Sequence, residues 1–324
     1  MKIIDINHVE FNPYKQSLLQ QTSDISPFYQ PINVEYYRDY FGRGDDDLSF
    51  IIELGKAGLL LVLVSKPVNG VCDYFGLPLK LVWQPGLTIT QQRGALKVAF
   101  KQLDKITNDH QAVIRYEEPL SGQVSAFCRR LLSKGALPST QYQQVIDLTW
   151  PEEELLPGMR KIYRANVRWG EANMSYRLLT ADNVKPNEIE AFRQLHIEVA
   201  GKETRSTNSW ALQQQMIEQG EGFAIYGYLE ERLVATGLFV YNQHTCYYGV
   251  GAYARDLFDK SISHALVWRG ILQAKAMGCT QMIMGDAHFG QIAKPDGHLP
   301  ADKDLTISHF KQGFGGELVA VLCF

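Results

Sequence analysis

Residues 221–250 read EGFAIYGYLEERLVATGLFVYNQHTCYYGV, and this stretch decides the fold. Its apolar residues fall into three short runs, separated by the polar pairs that are typical of turns. The runs predict adjacent strands over Phe223–Tyr228, Leu233–Tyr241 and Thr245–Val250. Strands joined by such short turns form a meander, and a meander needs a second layer to cover one of its faces.

The residues that follow supply this layer. An amphipathic helix is predicted over Lys260–Met277, and Gly278 is the residue type that commonly ends a helix. A buried strand is predicted over Gln281–Met284, and an irregular polar loop over Gly285–His309 then leads to the sequence FKQGFGG at 310–316. A meander, a helix and a further strand predict a mixed α/β sheet.

The first half of the chain repeats this order of elements. Three strands are predicted over Leu48–Leu54, Leu59–Val64 and Val71–Phe75. A helix over Gln91–Thr107 and a strand over Ala112–Tyr116 follow. Few residues match between the halves, so what repeats is the order of the secondary-structure elements and not the sequence itself. An internal duplication is the favoured interpretation, and two unrelated α/β domains are the alternative.

The length of 324 residues favours two domains over one core. Trp150-Pro151 breaks the strand pattern between the halves. We therefore expect an N-terminal domain over 1–150 and a C-terminal domain over 151–324, which carries the acceptor site. This division of the chain is compatible with a last strand that packs back on the first domain.

The charge and the cysteines restrict the class of protein. A net charge of −3 gives no global field for nucleic acid or an anionic membrane, although a local basic patch stays possible. The five cysteines are scattered, and no Cys-x-x-Cys pair occurs, which predicts buried thiols and neither disulfides nor a zinc site. The N-terminus shows no signal-peptide pattern, and the longest apolar run, Ala57–Val64, is too short to span a bilayer. We expect a cytoplasmic protein.

Five motifs in the second half occur in an order that resembles a known family. They are Met159-Arg160-Lys161-x-Tyr163-Arg164-x-x-Val167-Arg168, Ala200-Gly201-Lys202-x-Thr204-Arg205-Ser206 followed by Trp210, Tyr247-Tyr248, His264-x-x-x-Trp268 and Phe310-Lys311-x-x-Phe314-Gly315. Together they are similar to the Fem-type peptidoglycan-bridge aminoacyltransferases and their BioF2-like acetyltransferase relatives in the GNAT superfamily. The first half shares only the order of elements.

The resemblance implies tandem GNAT-like (acyl-CoA N-acyltransferase) domains, with the substrate site at or near the second. It implies transfer of an acyl or aminoacyl group from acetyl-CoA, another acyl-CoA or aminoacyl-tRNA. The acceptor it implies is an amine of a peptidoglycan precursor, a nucleotide-sugar or an envelope glycan. The resemblance also implies that Lys311 contacts the substrate and that Tyr248 corresponds to a tyrosine of the family's active site. Arg205 matches a residue of the family less closely.

The sequence departs from the family pattern in two places. The long antiparallel helical arm of some Fem enzymes is missing, which weighs against tRNA. The glycine-rich loop that holds a CoA pyrophosphate is also missing, because Ala254–Ser261 reads ARDLFDKS. Asp256 and Asp259 in this loop would repel a pyrophosphate, which argues against CoA bound in the usual way. Both donors therefore stay open.

Acyl transfer to an amine needs a deprotonated amine, a polarised carbonyl and a proton route to the leaving group. Lys311 would supply a fixed cation beside a phosphate or a developing oxyanion, and the neighbouring Phe310 would contact the substrate. The alternative is that Lys311 is a solvated lysine. Tyr247 and Tyr248 are neighbours on a strand and face opposite sides. The outward hydroxyl would donate to the leaving group, or both rings only pack.

Three arginines are candidates for binding an anionic substrate. Arg205 lies on a loop between two predicted helices, where its guanidinium would grip a phosphate or a carboxylate, or would pair with Glu203 or Glu198. Arg164 and Arg168 share a helix face with Arg160. This stripe would follow a polyphosphate or nucleic-acid backbone, or it is a solvated face that is flanked and neutralised by Glu152–Glu154 and Glu171.

Two residues are candidates for proton transfer. Asp286 is predicted to lie at the carboxyl end of a buried strand, where it would accept the amine proton. His264 is the second candidate, although a helical histidine, like His196, is more often part of the core. The histidines and aspartates of 286–309 match no compact ligand motif, so no metal site is predicted.

We therefore predict an N-acyltransferase of cell-wall or envelope polysaccharide biosynthesis. One alternative is an acetyl-CoA-dependent N-acetyltransferase that acts on another small amine. The other is a non-catalytic protein that binds a glycan or nucleotide on the same fold. The oligomeric state is not predicted.

Overall fold

The computed structural model describes residues 1–22, 25–120, 122–294 and 296–324, with only the backbone of Lys56. In chain order the strands are β1 (Lys2–Asp5), β2 (Phe50–Glu53), β3 (Leu59–Leu63), β4 (Val71–Cys72), β5 (Lys80–Trp83), β6 (Val113–Ile114), β7 (Glu117–Pro119), β8 (Ser139–Asp147), β9 (Met174–Leu179), β10 (Gly222–Leu229), β11 (Arg232–Tyr241), β12 (Thr245–Tyr253), β13 (Gln281–Ala287) and β14 (Glu317–Cys323). The α-helices are α1 (Phe11–Gln21), α2 (Pro31–Tyr40), α3 (Ile89–His110), α4 (Ala126–Ser133), α5 (Glu152–Leu155), α6 (Lys161–Asn173), α7 (Glu188–Ala200), α8 (Thr207–Glu218), α9 (His264–Ala276) and α10 (Asp302–Gln312).

The chain divides into two compact units, and each is built from separate segments. The first unit comprises Met1–Ile25, Phe41–Thr140 and Ala320–Phe324. The second comprises Ser26–Tyr40 and Gln141–Val319. A domain boundary at residue 150 stays a prediction, and these segments are the units used below.

The first unit has a sheet in the order β1-β2-β3-β5, whose neighbours are antiparallel. Thr88 is the N-cap of α3, and its hydroxyl accepts from the backbone N–H of Gln91 in a capping box. Its apolar face carries Phe100 and Leu103 into the core with the buried residues of β2 and β3. After α3, β6 pairs with β4 in parallel. The last residues of β14 pair with β7.

The second unit has the strand order β8-β13-β12-β11-β10-β9. Strands β9 to β12 are antiparallel neighbours, whereas β13 lies parallel to β12. The parallel pairing covers only Thr245–Tyr247 and Gln281–Ile283, although both strands continue beyond it. The two strands therefore separate after Tyr247, and this separation determines where the candidate site lies.

Helices cover both faces of this sheet. On one face, Phe239 fills the space above Gly270 of α9, where a β-carbon would clash with its ring. On the other face, the Tyr226 ring contacts Phe192 of α7, and Val240 packs with Met216 of α8. Because side chains alternate along a strand, adjacent residues of β12 face different helices.

The predicted mixed α/β architecture is confirmed, with a meander, a helix and a parallel strand in each unit. Two expectations are wrong. The predicted strand Val71–Phe75 does not join the first meander: only Val71–Cys72 is a strand and it pairs with β6, the positive φ of Phe75 turns the chain, and β5 is the third strand of the meander.

The region predicted as an irregular loop to His309 contains α10, which begins at Asp302. Asp302 and Asp304 stabilise its first turn, and Asp304 accepts from the backbone N–H of Ala301. The helix buries little besides Ser308, so its sequence has no apolar stripe by which to recognise it.

Candidate functional site

Lys311 and Tyr247 meet above Gly285, just past the point where β12 and β13 separate. Lys311 lies in the last turn of α10. A β-carbon at Gly285 would clash with Lys311 Nζ and would lie 3.0 Å from Tyr247 Oη. Gly285 also has a φ of +103°, which disfavours any other residue. The glycine thus leaves room for an ammonium group and a phenol to approach each other.

Asp286 follows this glycine and acts on the lysine electrostatically. Burial lowers the pKa of Lys311 below its ordinary value, and the negative charge of Asp286 offsets part of that effect. A half-buried ammonium beside a carboxylate and a phenol is able to bind an anion or stabilise developing negative charge. We call Lys311, Tyr247, Gly285 and Asp286 the Lys311 cluster.

An aromatic wall extends from Tyr247 to α2. The ring of Phe28 lies 4.5 Å from that of Tyr247 and 5.1 Å from that of Tyr37, measured between centroids. Tyr37 lies 5.1 Å from Tyr36 in turn. Burial raises the pKa of Tyr37 well above its usual range, and the neighbouring Tyr247 raises it further. The Tyr37 phenol therefore stays protonated and is a hydrogen-bond donor at neutral pH.

Arg205 lies at the far end of this wall. Its Nε donates to Tyr36 Oη at 3.0 Å, and its Nη1 lies 3.0 Å from His196 Nε2. The guanidinium also lies 5.7 Å from the ring centroids of Tyr40 and of Trp210. Arg205 with these four residues forms the Arg205 cluster. In the described chain it forms no ion pair with Glu203 or Glu198, because these pair with Arg193 and Arg232 respectively.

Two carboxylates fix α2, which carries three of the tyrosines. Glu221 is 7% exposed and caps the start of α2, accepting from the backbone N–H groups of Ile32 and Asn33 at 3.0 Å each. At the other end of α2, Asp39 accepts from Ser206 and Ser209 at the start of α8. The start of α8 directly follows Arg205, so Asp39 connects the tyrosines with the arginine. Ser206 is the N-cap of α8.

Tyr248 points to the opposite face of β12 from Tyr247. Its ring stacks on Phe239 at 5.3 Å, and its hydroxyl lies 2.5 Å from that of Tyr253. Burial raises the pKa of Tyr248 to about 12. The structure therefore brings Tyr247 to Lys311, and it does not bring Tyr248 there.

His264 lies in an aromatic box between α6, α9 and α10. Its ring is 4.5 Å from that of Tyr163, 5.5 Å from that of Phe310 and 5.9 Å from that of Phe314. Asn166 Nδ2 lies 3.2 Å from its Nε2. The Phe310 ring turns into this box, whereas the neighbouring Lys311 reaches Gly285. Through the box, Phe310 and His264 anchor the last turn of α10, from which Lys311 extends.

Burial lowers the pKa of His264 to about 4, and burial beside Arg205 and Lys303 does the same for His196. Both ordinary values are near 6.5, so between pH 6.5 and about 4 the unfolded chain binds protons that the folded unit excludes. The second unit should keep this stability above pH 6.5 and lose it as the pH falls through that window. We expect a His264→Asn variant to show a flatter dependence of Tm on pH than wild type. An NMR titration that placed His264 near 6.5 would contradict this.

Arg164 and Arg168 lie apart from both clusters. Arg164 donates to the backbone carbonyl of Pro157 at 3.4 Å, and Arg168 is exposed on α6. No hydrogen bond or ion pair joins either of them to the clusters among the described residues. Glu171 does not neutralise them, because it pairs with Arg269.

Three further observations concern the cysteines, metal ligands and membrane-spanning helices of the described residues. All five cysteines are buried thiols, as the sequence predicts. The described residues contain no group of three or more His, Cys, Asp or Glu side chains arranged to hold a metal ion. Across the same part of the chain, no helix has the length and apolar character needed to span a membrane.

Sequence reasoning missed the contribution of α2. Tyr36 and Tyr37 complete the wall between the two clusters, and Phe28 joins it from the preceding turn. The only signal was the density of tyrosines in Tyr36-Tyr37-Arg38-Asp39-Tyr40. Nothing local in the sequence indicates that a helix at 31–40 packs beside residues near 205 and 247.

No family model and no curated protein sequence matches this chain. Solved structures do match over nearly its whole length. The crystal structure of FemX has a TM-score of 0.68 at 11% identity and covers 99% of this chain and 97% of that one. L-PGS from Bacillus licheniformis has a TM-score of 0.55 at 12% identity, with 95% of this chain and 90% of that one covered.

A tandem GNAT protein from the clavulanic acid biosynthesis pathway has a TM-score of 0.54 at 13% identity. It covers 99% of this chain and 97% of that one. Identities this low establish the fold and nothing finer. The chain has a tandem GNAT-like fold of the Fem type.

Proposed function

We propose that the second unit transfers an acyl or aminoacyl group to an amine of a cell-envelope glycan, a nucleotide-sugar or a peptidoglycan precursor. The observation that carries this proposal is the meeting of Lys311 Nζ and Tyr247 Oη above Gly285, beside Asp286. The fold similarity to FemX and to a tandem GNAT protein supports the same class of reaction. We further propose that the protein works in the cytoplasm, where such precursors are made.

The proposed reaction assigns one task to each group. The acceptor amine attacks the carbonyl carbon of the donor, a C–N bond forms, and the carbonyl oxygen becomes an oxyanion. The ammonium of Lys311 stabilises this charge. Asp286 takes the proton that the amine loses. The bond to the leaving oxygen or sulfur then breaks with its electron pair on that atom, the Tyr247 hydroxyl gives the atom a proton, and Tyr247 regains a proton from solvent.

The Arg205 cluster is the proposed anchor for the acceptor. Its guanidinium is held by Tyr36, His196 and two aromatic rings, so little freedom is lost when it binds an anion. Precursors of this class carry phosphates or carboxylates, which suit a planar, fixed donor. The neutral His196 accepts from Arg205 and does not compete with it for the anion.

The residues of the loop before α9 bear on which acyl donor the protein uses. Asp256 in that loop forms two hydrogen bonds with Arg232, at 2.6 and 3.0 Å, so the neighbouring cation is already neutralised. A CoA pyrophosphate would meet a carboxylate where GNAT enzymes offer backbone N–H groups. We therefore favour an aminoacyl ester over acyl-CoA. Initial rates with aminoacyl-tRNA and with acetyl-CoA, measured on the same acceptor panel, test this choice.

The two adjacent tyrosines give a matched pair of variants. Tyr247→Phe removes a hydroxyl at the Lys311 cluster and should lower kcat by roughly tenfold to a hundredfold. Tyr248→Phe removes a hydroxyl that bonds only to Tyr253 among the described residues. It should leave kcat within about threefold of wild type, with a small loss of stability. Equal losses of kcat in the two variants would remove the basis for the proposal.

A further inference from the structure

Helices α3 and α4 of the first unit form the walls of a groove with a volume of about 750 Å³. Leu96, Phe100 and Ala126 supply its apolar lining. Phe100 is 4% exposed, and its ring stacks on Phe127 at 4.8 Å beneath α4. The groove is therefore a fixed feature of the packing of these two helices. No residue of the Lys311 cluster or the Arg205 cluster lines it.

The walls of this groove are strongly basic. Arg93, Lys97 and Lys101 follow one another at every fourth position of α3, so they share a face and rise by about 6 Å from one to the next. Arg129 and Arg130 line the opposite wall on α4. All five side chains are exposed. We call these five residues the α3–α4 basic groove.

The protein supplies almost no compensating charge. Asp104 is the one acidic residue among those that line the groove, and it already pairs with Lys134. Arg130 lies 5.9 Å from the centroid of Phe100. Within the described residues, none of the five cations forms an ion pair. Like charges at i and i+4 destabilise a helix, so this row costs stability unless an anion binds it.

We infer that the α3–α4 basic groove binds the phosphate backbone of an RNA. A row of cations at regular spacing along a helix matches a polymer of phosphates, and a compact anion would engage only two or three of them. The groove is concave, whereas a membrane surface would need a flat or convex basic face. Because Phe100 is buried, no base can stack on it. Recognition is therefore of the backbone and carries no sequence information.

The identity of this RNA rests on the proposed function, in which the donor is an aminoacyl-tRNA. The groove would then hold the body of the donor and raise its affinity without contributing to the chemistry. Net charge hides such a surface, since the whole chain is at −3 while one groove collects five cations.

The test uses the full chain and fluorescently labelled deacylated tRNA, with anisotropy measured over a series of salt concentrations. Five phosphate contacts predict that log K falls against log salt with a slope of roughly −4. Lys97→Glu with Lys101→Glu should make this slope shallower by about two and weaken binding at low salt by at least tenfold. Lys161→Glu with Lys260→Glu changes the net charge equally at exposed positions of the second unit, and should bind within about twofold of wild type.

Four results would overturn the inference. In the first, wild-type protein fails to bind tRNA at low salt. In the second, the Lys97/Lys101 variant binds tRNA as well as wild type, and in the third, the Lys161/Lys260 control loses as much affinity for tRNA as that variant. A fourth is sedimentation with phosphatidylglycerol vesicles that depends on Lys97 and Lys101 while tRNA binding does not. That result would assign the groove to a membrane.

This experiment can distinguish failure of the groove inference from failure of the transferase proposal. Deacylated tRNA cannot react, so a protein without detectable transfer that still binds tRNA through Lys97 and Lys101 would retain the groove and refute the reaction. Transfer from acetyl-CoA without tRNA binding would refute the groove alone.

Discussion

Replacing Lys311 by Met should lower kcat for acyl transfer by about two to three orders of magnitude, the usual loss for one oxyanion-stabilising donor. The ammonium is half-buried above Gly285 beside Tyr247, and among the side chains around this glycine the Lys311 Nζ lies nearest to its β-carbon position. The fold should persist, because Met keeps the length and apolar character of the side chain and removes a charge whose burial is unfavourable. Single-turnover rates with the preferred donor measure the effect.

The pH dependence gives a second measurement on the same residue. Because burial lowers the Lys311 pKa, the cation should be lost at a lower pH than for an exposed lysine. The wild-type rate should therefore fall on the alkaline side, and this limb should be missing from the residual rate of Lys311→Met. Lys161→Met, at an exposed position of α6, is the control and should retain the wild-type rate. A Lys311→Met enzyme at full activity would show that this ammonium does not stabilise the oxyanion, whereas tight ligand binding without any turnover in wild type would favour a glycan- or nucleotide-binding role.

Glu221→Gln should destabilise α2 by about 2 kcal/mol, or roughly thirtyfold in local opening. One carboxylate oxygen accepts from the Ile32 N–H, and the other accepts from both the backbone and the side chain of Asn33. Gln offers only one oxygen, so its amide N–H₂ would face a buried donor. Hydrogen–deuterium exchange of the amides near the start of α2 should accelerate accordingly.

The same variant should also impair transfer, because α2 carries Tyr36 and Tyr37 beside Arg205 and Tyr247. KM for an anionic acceptor should rise more than kcat falls, since the Arg205 cluster is the proposed anchor. Glu231→Gln, at an exposed turn, provides the control and should exchange as wild type does. Unchanged exchange in α2 of Glu221→Gln would show that the cap contributes little.

The periodic elements could be predicted from sequence because their patterns are local. The strands between Phe223 and Val250 alternate or run apolar, and α3 and α9 bury clear apolar stripes. The five ordered motifs predicted the tandem GNAT-like fold, which the comparisons confirm. By contrast, α10 has almost no buried face, so periodicity could not indicate it.

The site was predictable only in part, because it depends on contacts between distant segments. Lys311, Tyr247 and Asp286 are close together, and Arg205 joins them through the tyrosines of α2. The alternation of side chains along β12 predicts that Tyr247 and Tyr248 face opposite sides of the sheet, but it does not indicate which of them lies at the site. The choice depends on where α10 ends and where β13 leaves β12. Their roles in a reaction stay predictions.

The interleaved segments of the two units affect the order in which the chain can fold during synthesis. Ser26–Tyr40 leaves the ribosome early but belongs to the second unit, so its helix must wait for Glu221 before its first turn is capped. The first unit, in turn, lacks its Ala320–Phe324 segment until those residues have been synthesised, and β14 is the partner of β7 among the described strands. Nascent chains should therefore expose an unpaired edge until late, and we expect truncation after residue 319 to promote aggregation.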